Sequence, residues 1–187
     1  MTVINIGKSV PLGSTITDVG VNFCVAATNA ILVEILIFEE SNSTKPTSIY
    51  ALDKRYQSGP YWRAEIEGLG EGTIYGYRIH QEKNGLNRDY SKKVLIDPYS
   101  RGITGWENYK RNRSTDESDN MNCCLKSVVC DKEKFNFKEF PNPKHSWEES
   151  IIYELHIGAF TEKIESNDHS NNESCFQKFV QKIPYLK

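Results

Sequence analysis

The sequence predicts a mostly β chain: an antiparallel β-sandwich over residues 12–100, and one strand-and-helix unit over 148–187. Three observations carry this. Short β-prone runs recur every 10–14 residues or so between residues 12 and 100, with turn residues between them, the rhythm of a meander or sandwich. Within those runs apolar side chains return with period two, which puts one face inward and one toward water. Near residue 175 the period changes to that of a helix.

The runs are Val21–Ala27, Leu32–Phe38, Ser48–Ala51, Tyr61–Glu67 and Ile74–His80. In the first, Val21, Phe23, Val25 and Ala27 alternate with Asn22, Cys24 and Ala26. In the last, Tyr75, Tyr77 and Ile79 alternate with Gly76, Arg78 and His80. Phe23, Val25, Val33, Ile35, Tyr77 and Ile79 are the expected core. Gly13, Gly20, Gly59–Pro60, Gly68, Gly70 and Gly72 punctuate the runs. Gly76 between two tyrosines predicts a backbone or a large ring close by. Asp97-Pro98 predicts an Asx-type turn at a strand end, because Pro98 forces the residue before it extended.

The stretch KRNRSTDESDNMN over 110–122 has one apolar residue, Met121, and reads as an exposed or mobile loop. Pro141 and Pro143 make 136–147 an extended connector. Ile151–Ile157 is strongly β-prone and apolar on both faces. After a polar spacer (165–174), Phe176, Phe179, Val180 and Ile183 fall at i, i+3, i+4 and i+7, an amphipathic helix. The expected organisation is therefore a sandwich at 1–110, loop and connector at 111–147, and a truncated βα unit at 148–187. An unpaired apolar strand is a template for association. Residues 148–187 are accordingly expected to be mobile, or sheltered against the sandwich or another subunit.

Composition narrows the function classes. The 187 residues are 38% hydrophobic and 26% charged, with a net charge of −2 and a pI near 6.1. Lys and Arg are scattered, which gives no reason to expect nucleic acid or an anionic membrane. No segment approaches the roughly 20 apolar residues of a membrane span, and the first dozen residues lack the features of a signal peptide. A cytoplasmic location is expected. Five cysteines (Cys24, Cys123, Cys124, Cys130, Cys175) form an odd set without metal-site spacing and read as reduced thiols; neither a metal nor another cofactor is expected.

Three stretches, in order across nearly the whole chain, resemble the isoamylase-type branch of glycoside hydrolase family 13, the glycogen- and starch-debranching enzymes. Pro11–Thr15 with Gly20–Phe23 is similar to the opening of that family's N-terminal carbohydrate-binding module. Gly72–His80 with Lys93–Arg101 is similar to its GTxYGYR and DPYxR patterns. Trp147 with Ile151–Thr161, then Lys182–Lys187, resembles its first barrel strand and helix. The resemblance implies an immunoglobulin-like sandwich followed by an incomplete (β/α)8 barrel start. It implies a retaining hydrolase whose carboxylates follow the fourth and fifth barrel strands. No position here matches those, so no catalytic residue is assigned.

The chain's own acidic neighbours, Glu39-Glu40, Asp116-Glu117 and Glu148-Glu149, read as solvated charge runs rather than a working pair. His156 reads as a structural residue of the predicted strand. Sugar sites use exposed aromatic rings flanked by polar groups. Trp62 and Trp106 are the candidates, with Tyr61, Tyr75 and Tyr77 behind them. Trp62 stands beside Tyr61 in a strand, so one of the two faces the core. The resemblance places a tryptophan pair of glucan-binding members on a late strand and loop, where this chain has His80–Leu86 and no Trp. The expectation is thus the N-terminal fragment of an α-1,6-glucan debranching hydrolase, itself without catalytic carboxylates. The alternative is a free-standing glycan-binding or regulatory module. The expected partners are α-glucan, bound weakly, and a second copy or a missing catalytic portion.

Overall fold

The computed structural model describes residues 3–82, 91–116, 118–131, 139, 144–162 and 174–186. The polar spacer over 165–173, most of the connector and Glu117 lie outside them. The chain divides into two compact units, Met1–Asn136 and Phe137–Lys187.

The first unit is a β-sandwich. One sheet orders β1 (Ile4–Asn5), β7 (Tyr61–Glu67), β3 (Gly20–Ala26) and β2 (Gly13–Ile16), with β6 (Gln57–Ser58) also pairing with β7. The other orders β5 (Ser48–Leu52), β4 (Ala30–Phe38), β8 (Ile74–Gln81), β10 (Lys126–Val128) and β9 (Gly102–Thr104). All pairings are antiparallel. All five runs read from the sequence are strands, within one or two residues at their ends.

Period two explains the core. Val21, Phe23 and Val25 of β3 and Trp62, Ala64 and Ile66 of β7 meet Val33, Ile35 and Ile37 of β4 and Tyr75 and Tyr77 of β8. Phe23 meets Tyr75 edge-on between the sheets, their ring centroids 4.9 Å apart. Of the expected core residues, Phe23, Val25, Val33, Ile35 and Tyr77 are buried, and Ile79 packs half-buried against them.

The outer faces are not all wet. Asn22 and Cys24 of β3, polar-face residues by alternation, are buried beneath residues 7–9. Lys8 N donates to Asn22 Oδ1 (2.7 Å), Asn22 Nδ2 donates to Lys8 O, and Arg63 Nε donates to Gly7 O (2.9 Å). On the second sheet, Leu36 and Phe38 turn away from the main core and form a smaller cluster with Val94 and Cys124. Gly76 makes room for this cover. A Cβ there would stand 2.6 Å from Val94 Cγ1 and 3.3 Å from Leu95 O, the close approach that its sequence context predicts.

The second sheet extends past residue 110, where the sequence reading ended the sandwich. Ser127 pairs opposite Tyr75, and Val129 is buried in the core. At three residues, β9 and β10 are too short to show a period and depend on their neighbours for hydrogen bonds. The 110–122 loop is largely exposed, yet it is tied down. The buried Lys93 ammonium donates to Arg113 O (2.6 Å) and Asp116 Oδ1 (2.8 Å).

The second unit departs from expectation. Ile151–His156 forms no β-ladder, and Ile157–Thr161 is a short helix, α1. A strand exists only by pairing, and no partner strand is present in this unit among the described residues. His156 instead caps α1, its Nδ1 accepting from Ala159 N at 3.1 Å. The predicted amphipathic helix is split into α2 (Cys175–Val180) and α3 (Ile183–Leu186). A capping box between Ser174 and Gln177 starts α2. Pro184 has no N–H to donate to Val180 O, so the α2 ladder cannot run on through it, whereas proline is tolerated in the first turn of a new helix such as α3. Phe179 meets Phe160 of α1 edge-on at 6.1 Å, while Phe176 and Val180 stay exposed.

Candidate functional site

Two groups of side chains on the sandwich could carry function, one buried and one exposed. The buried group centres on Asp97. Its Oδ1 accepts from Tyr99 N (2.7 Å), and its carbonyl accepts from Ser100 N (3.0 Å), which is the Asx turn predicted from Asp97-Pro98. Its Oδ2 accepts from the hydroxyls of Tyr75 (2.8 Å) and Tyr77 (3.4 Å), and its own N–H donates to Ser127 Oγ (2.8 Å). Burial pushes the carboxyl pKa up, and the bonds from Tyr99, Tyr75 and Tyr77 pull the other way. Desolvation, with the Asp97 charge behind it, raises both phenols well above their ordinary range. Every polar atom of the node is answered from within the protein, and nothing in it faces a ligand. Tyr75 and Tyr77 are core residues that fasten the 93–100 segment to the sheet, not sugar contacts.

The exposed group lies where the β4–β5 turn meets a one-turn helix at Trp106–Asn108. Gly105, at φ +93°, precedes that turn. It packs against the Cys124 carbonyl, so a side chain there would be both strained and crowded. Ser41 Oγ donates to Glu107 Oε1 (2.7 Å), and the buried Lys126 ammonium donates to Ser41 O (2.8 Å) while lying over the Phe38 ring. These bonds hold the two segments apart at a fixed spacing. Between them runs a groove of about 570 Å³ whose walls include Asn42, Thr44, Asn108, Tyr109, Arg113 and Asn122. Trp106 stands beside it, 63% exposed and edge-on to Tyr109 at 5.9 Å.

The two tryptophan candidates therefore separate. Trp62 is wholly buried, and its Nε1 donates to Ala27 O (3.0 Å). A ring enclosed on both faces cannot stack on a sugar, so Trp62 is a core residue and drops out as a binding candidate. Trp106 is accessible. Tyr61 is half-buried at the β6–β7 hairpin. Glu39, Glu40, Glu148 and Glu149 are exposed. Asp116, also exposed, is held far below the usual carboxylate range, chiefly by the bond from Lys93 and then by Ser118 and Arg113. No group of three His, Cys, Asp or Glu side chains among the described residues is placed to hold a metal ion. The five cysteines are free thiols. No helix among the described residues is long and apolar enough to cross a membrane.

The family model of carbohydrate-binding module 48, the isoamylase N-terminal domain, matches residues 11–100. Over those residues the sandwich is similar to a carbohydrate-binding module of family 48. The chain is similar to the glycogen debranching enzyme of Cronobacter sakazakii, 34% identical over 169 residues, covering 86% of this chain and 24% of that protein. The corresponding enzyme of Salmonella typhi is 30% identical over 169 residues, with 86% and 25% covered. The chain thus spans about a quarter of the length of the curated relatives it matches.

Solved structures agree on the fold. The catalytic module of the glycogen-degrading pneumococcal virulence factor SpuA superposes with a TM-score of 0.65 at 20% identity, over 97% of this chain and 25% of that one. The Group B Streptococcus pullulanase SAP, in complex with maltotetraose, gives 0.64 at 19%, over 96% and 22%. The groove residues went unread in the sequence. Asn42, Asn108 and Asn122 come from separate loops, and asparagine in a loop is ordinary turn chemistry. The one available signal was Trp106, an indole in a polar stretch.

Proposed function

We propose that this chain is the accessory, glucan-recognising part of an α-1,6-glucan debranching glycoside hydrolase acting on glycogen or starch, and that it hydrolyses nothing by itself. The observation that carries the reading is the similarity to glycogen debranching enzymes over 169 residues, which reaches well beyond the sandwich. The paired carboxylates of a retaining hydrolase must be held about 5 Å apart at the mouth of a barrel. The sandwich offers instead a fixed surface with one accessible indole, Trp106, as the candidate sugar contact. A cytoplasmic setting goes with this reading, since five free thiols suit a reducing compartment.

A second reading is a free-standing glycan-binding module, favoured by the sandwich closing its own core within the first unit. Two measurements test the proposal. The purified chain, incubated with amylopectin, is expected to release no reducing sugar above a buffer blank. It is also expected to raise the debranching rate when mixed with the remaining three-quarters of a relative expressed separately. Hydrolysis that survives repurification sinks the accessory role; no effect on the complementing portion favours the free-standing module.

A further inference from the structure

We propose that the groove beside Trp106 is an α-glucan subsite, with the indole as the platform for one glucose ring and Asn42, Asn108 and Asn122 bonding the hydroxyls of the adjoining residues. The inference rests on the reading that this module meets α-glucan, and it names where.

The polar groups in the groove decide the ligand class. Its charged walls are mostly spoken for: Glu107 accepts from Ser41, and the Arg113 guanidinium donates to Ser118 Oγ (2.7 Å) and Asp116 Oδ2 (3.4 Å). The amides of Asn42, Asn108 and Asn122 and the hydroxyls of Thr44 and Tyr109 make no hydrogen bond to any described residue. Each carboxamide offers two N–H donors and a carbonyl acceptor, and each hydroxyl does both. Neutral groups that donate and accept suit a neutral polyol, whose hydroxyls do the same. An anion would call for clustered cations, and Lys110 is the one ammonium in the wall without a partner among the described residues.

Shape points the same way. A volume of about 570 Å³ lies in the range of small-molecule sites. Trp106 exposes its ring outside the groove, while Tyr109 lines the groove and touches Trp106 edge-on. A chain of sugars can therefore lie on the indole and continue into the amides. The Ser41–Glu107 and Lys126–Ser41 bonds fix the walls beforehand, so little ordering is left to oppose binding. None of the groove's walls comes from β8.

The test uses the full chain, with maltoheptaose and glycogen as probes. Binding is followed by titration of maltoheptaose and by retardation in glycogen-containing native gels. Side-chain amide and indole N–H signals report the location. We expect shifts at Trp106, Asn42, Asn108 and Asn122. Trp106→Ala should weaken binding roughly tenfold, as loss of an aromatic contact does. The double variant Asn42→Ala/Asn122→Ala should weaken it several-fold with the urea midpoint unchanged, and Trp147→Phe should behave as wild type. Wild-type binding that survives both groove variants puts the glucan elsewhere on the module and overturns the subsite alone. Equal affinity for cellohexaose overturns the ligand class. No binding of either probe by the wild type overturns the subsite, and the complementation experiment above then judges the accessory role independently.

Discussion

Asp97 does with one carboxylate what usually takes several residues: Oδ1 closes the turn on Tyr99, and Oδ2 gathers the hydroxyls of two core tyrosines. Asp97→Ala would take away the acceptor that both buried hydroxyls share, and a loss of about 2–3 kcal/mol in urea unfolding is expected. The pH dependence is a finer probe. Burial raises the folded pKa above the ordinary 3.8, so between those two values the native state holds more protons than the unfolded chain. Stability from this group therefore falls as pH rises through that window and is level above it. Asp53, Glu107, Asp116 and Glu148 are shifted downward and slope the opposite way. The contribution of Asp97 is thus read as wild type minus Asp97→Asn, from urea midpoints between pH 4 and 7. A flat difference would mean that the carboxylate is not desolvated. The turn at Asp97-Pro98 was legible because its determinants are adjacent in sequence. The tyrosine partners were not, since some twenty residues intervene and only the fold brings them together. Trp62 was half legible: alternation said that it or Tyr61 faces inward, and the β3–β7 register chose Trp62.

At the scale of the element, period two was enough for strands of five residues or more and silent for shorter ones. The strands β1, β2, β6, β9 and β10 have two to four residues each, and neighbouring strands rather than their own composition hold them. The split between α2 and α3 was available from Pro184 and was overridden by a strong apolar repeat. Strand β8 supplies a test of close packing. Gly76→Ala pushes a methyl against Val94 Cγ1 and the Leu95 carbonyl, and should cost about 1–3 kcal/mol. Adding Val94→Ala should return part of that loss, because the tightest neighbour is a side chain. If the double variant is no better than the sum of the singles, the backbone at Leu95 is the obstacle.

The two units differ in how far their backbones are hydrogen-bonded. In β3 every residue from Gly20 to Ala26 has partners on β7, whereas Ile151–Leu155 makes no backbone hydrogen bond to any described residue, and Ile151 is 97% exposed. Hydrogen exchange should therefore be complete within seconds across Ile151–Leu155 and slower by orders of magnitude in β3 and β7. Slow exchange at Ile151–Leu155 in a monomeric sample would mean that the segment has found a partner. The boundary of the sandwich can be tested too. A chain ending at residue 110 keeps every strand that alternation revealed. It loses the Ser127 acceptor of Asp97, the Val129 carbonyl that accepts from Gly72 N, and the buried Val129 side chain. Such a chain should be cut by protease well below the concentration that the full chain withstands. Equal resistance would show that β10 is ornamental.

The late arrival of β10 also bears on synthesis. Its residues pair with a strand about fifty positions earlier, so the edge of β8 stays open while the intervening chain is still being made. During that interval the growing polypeptide presents an unpaired strand edge beside an uncovered Leu36 and Phe38, the kind of surface on which nascent chains stick to one another. The yield of this protein in a cell should then depend on how fast residues 82–126 are translated and on what shields that edge meanwhile, more than on its final stability.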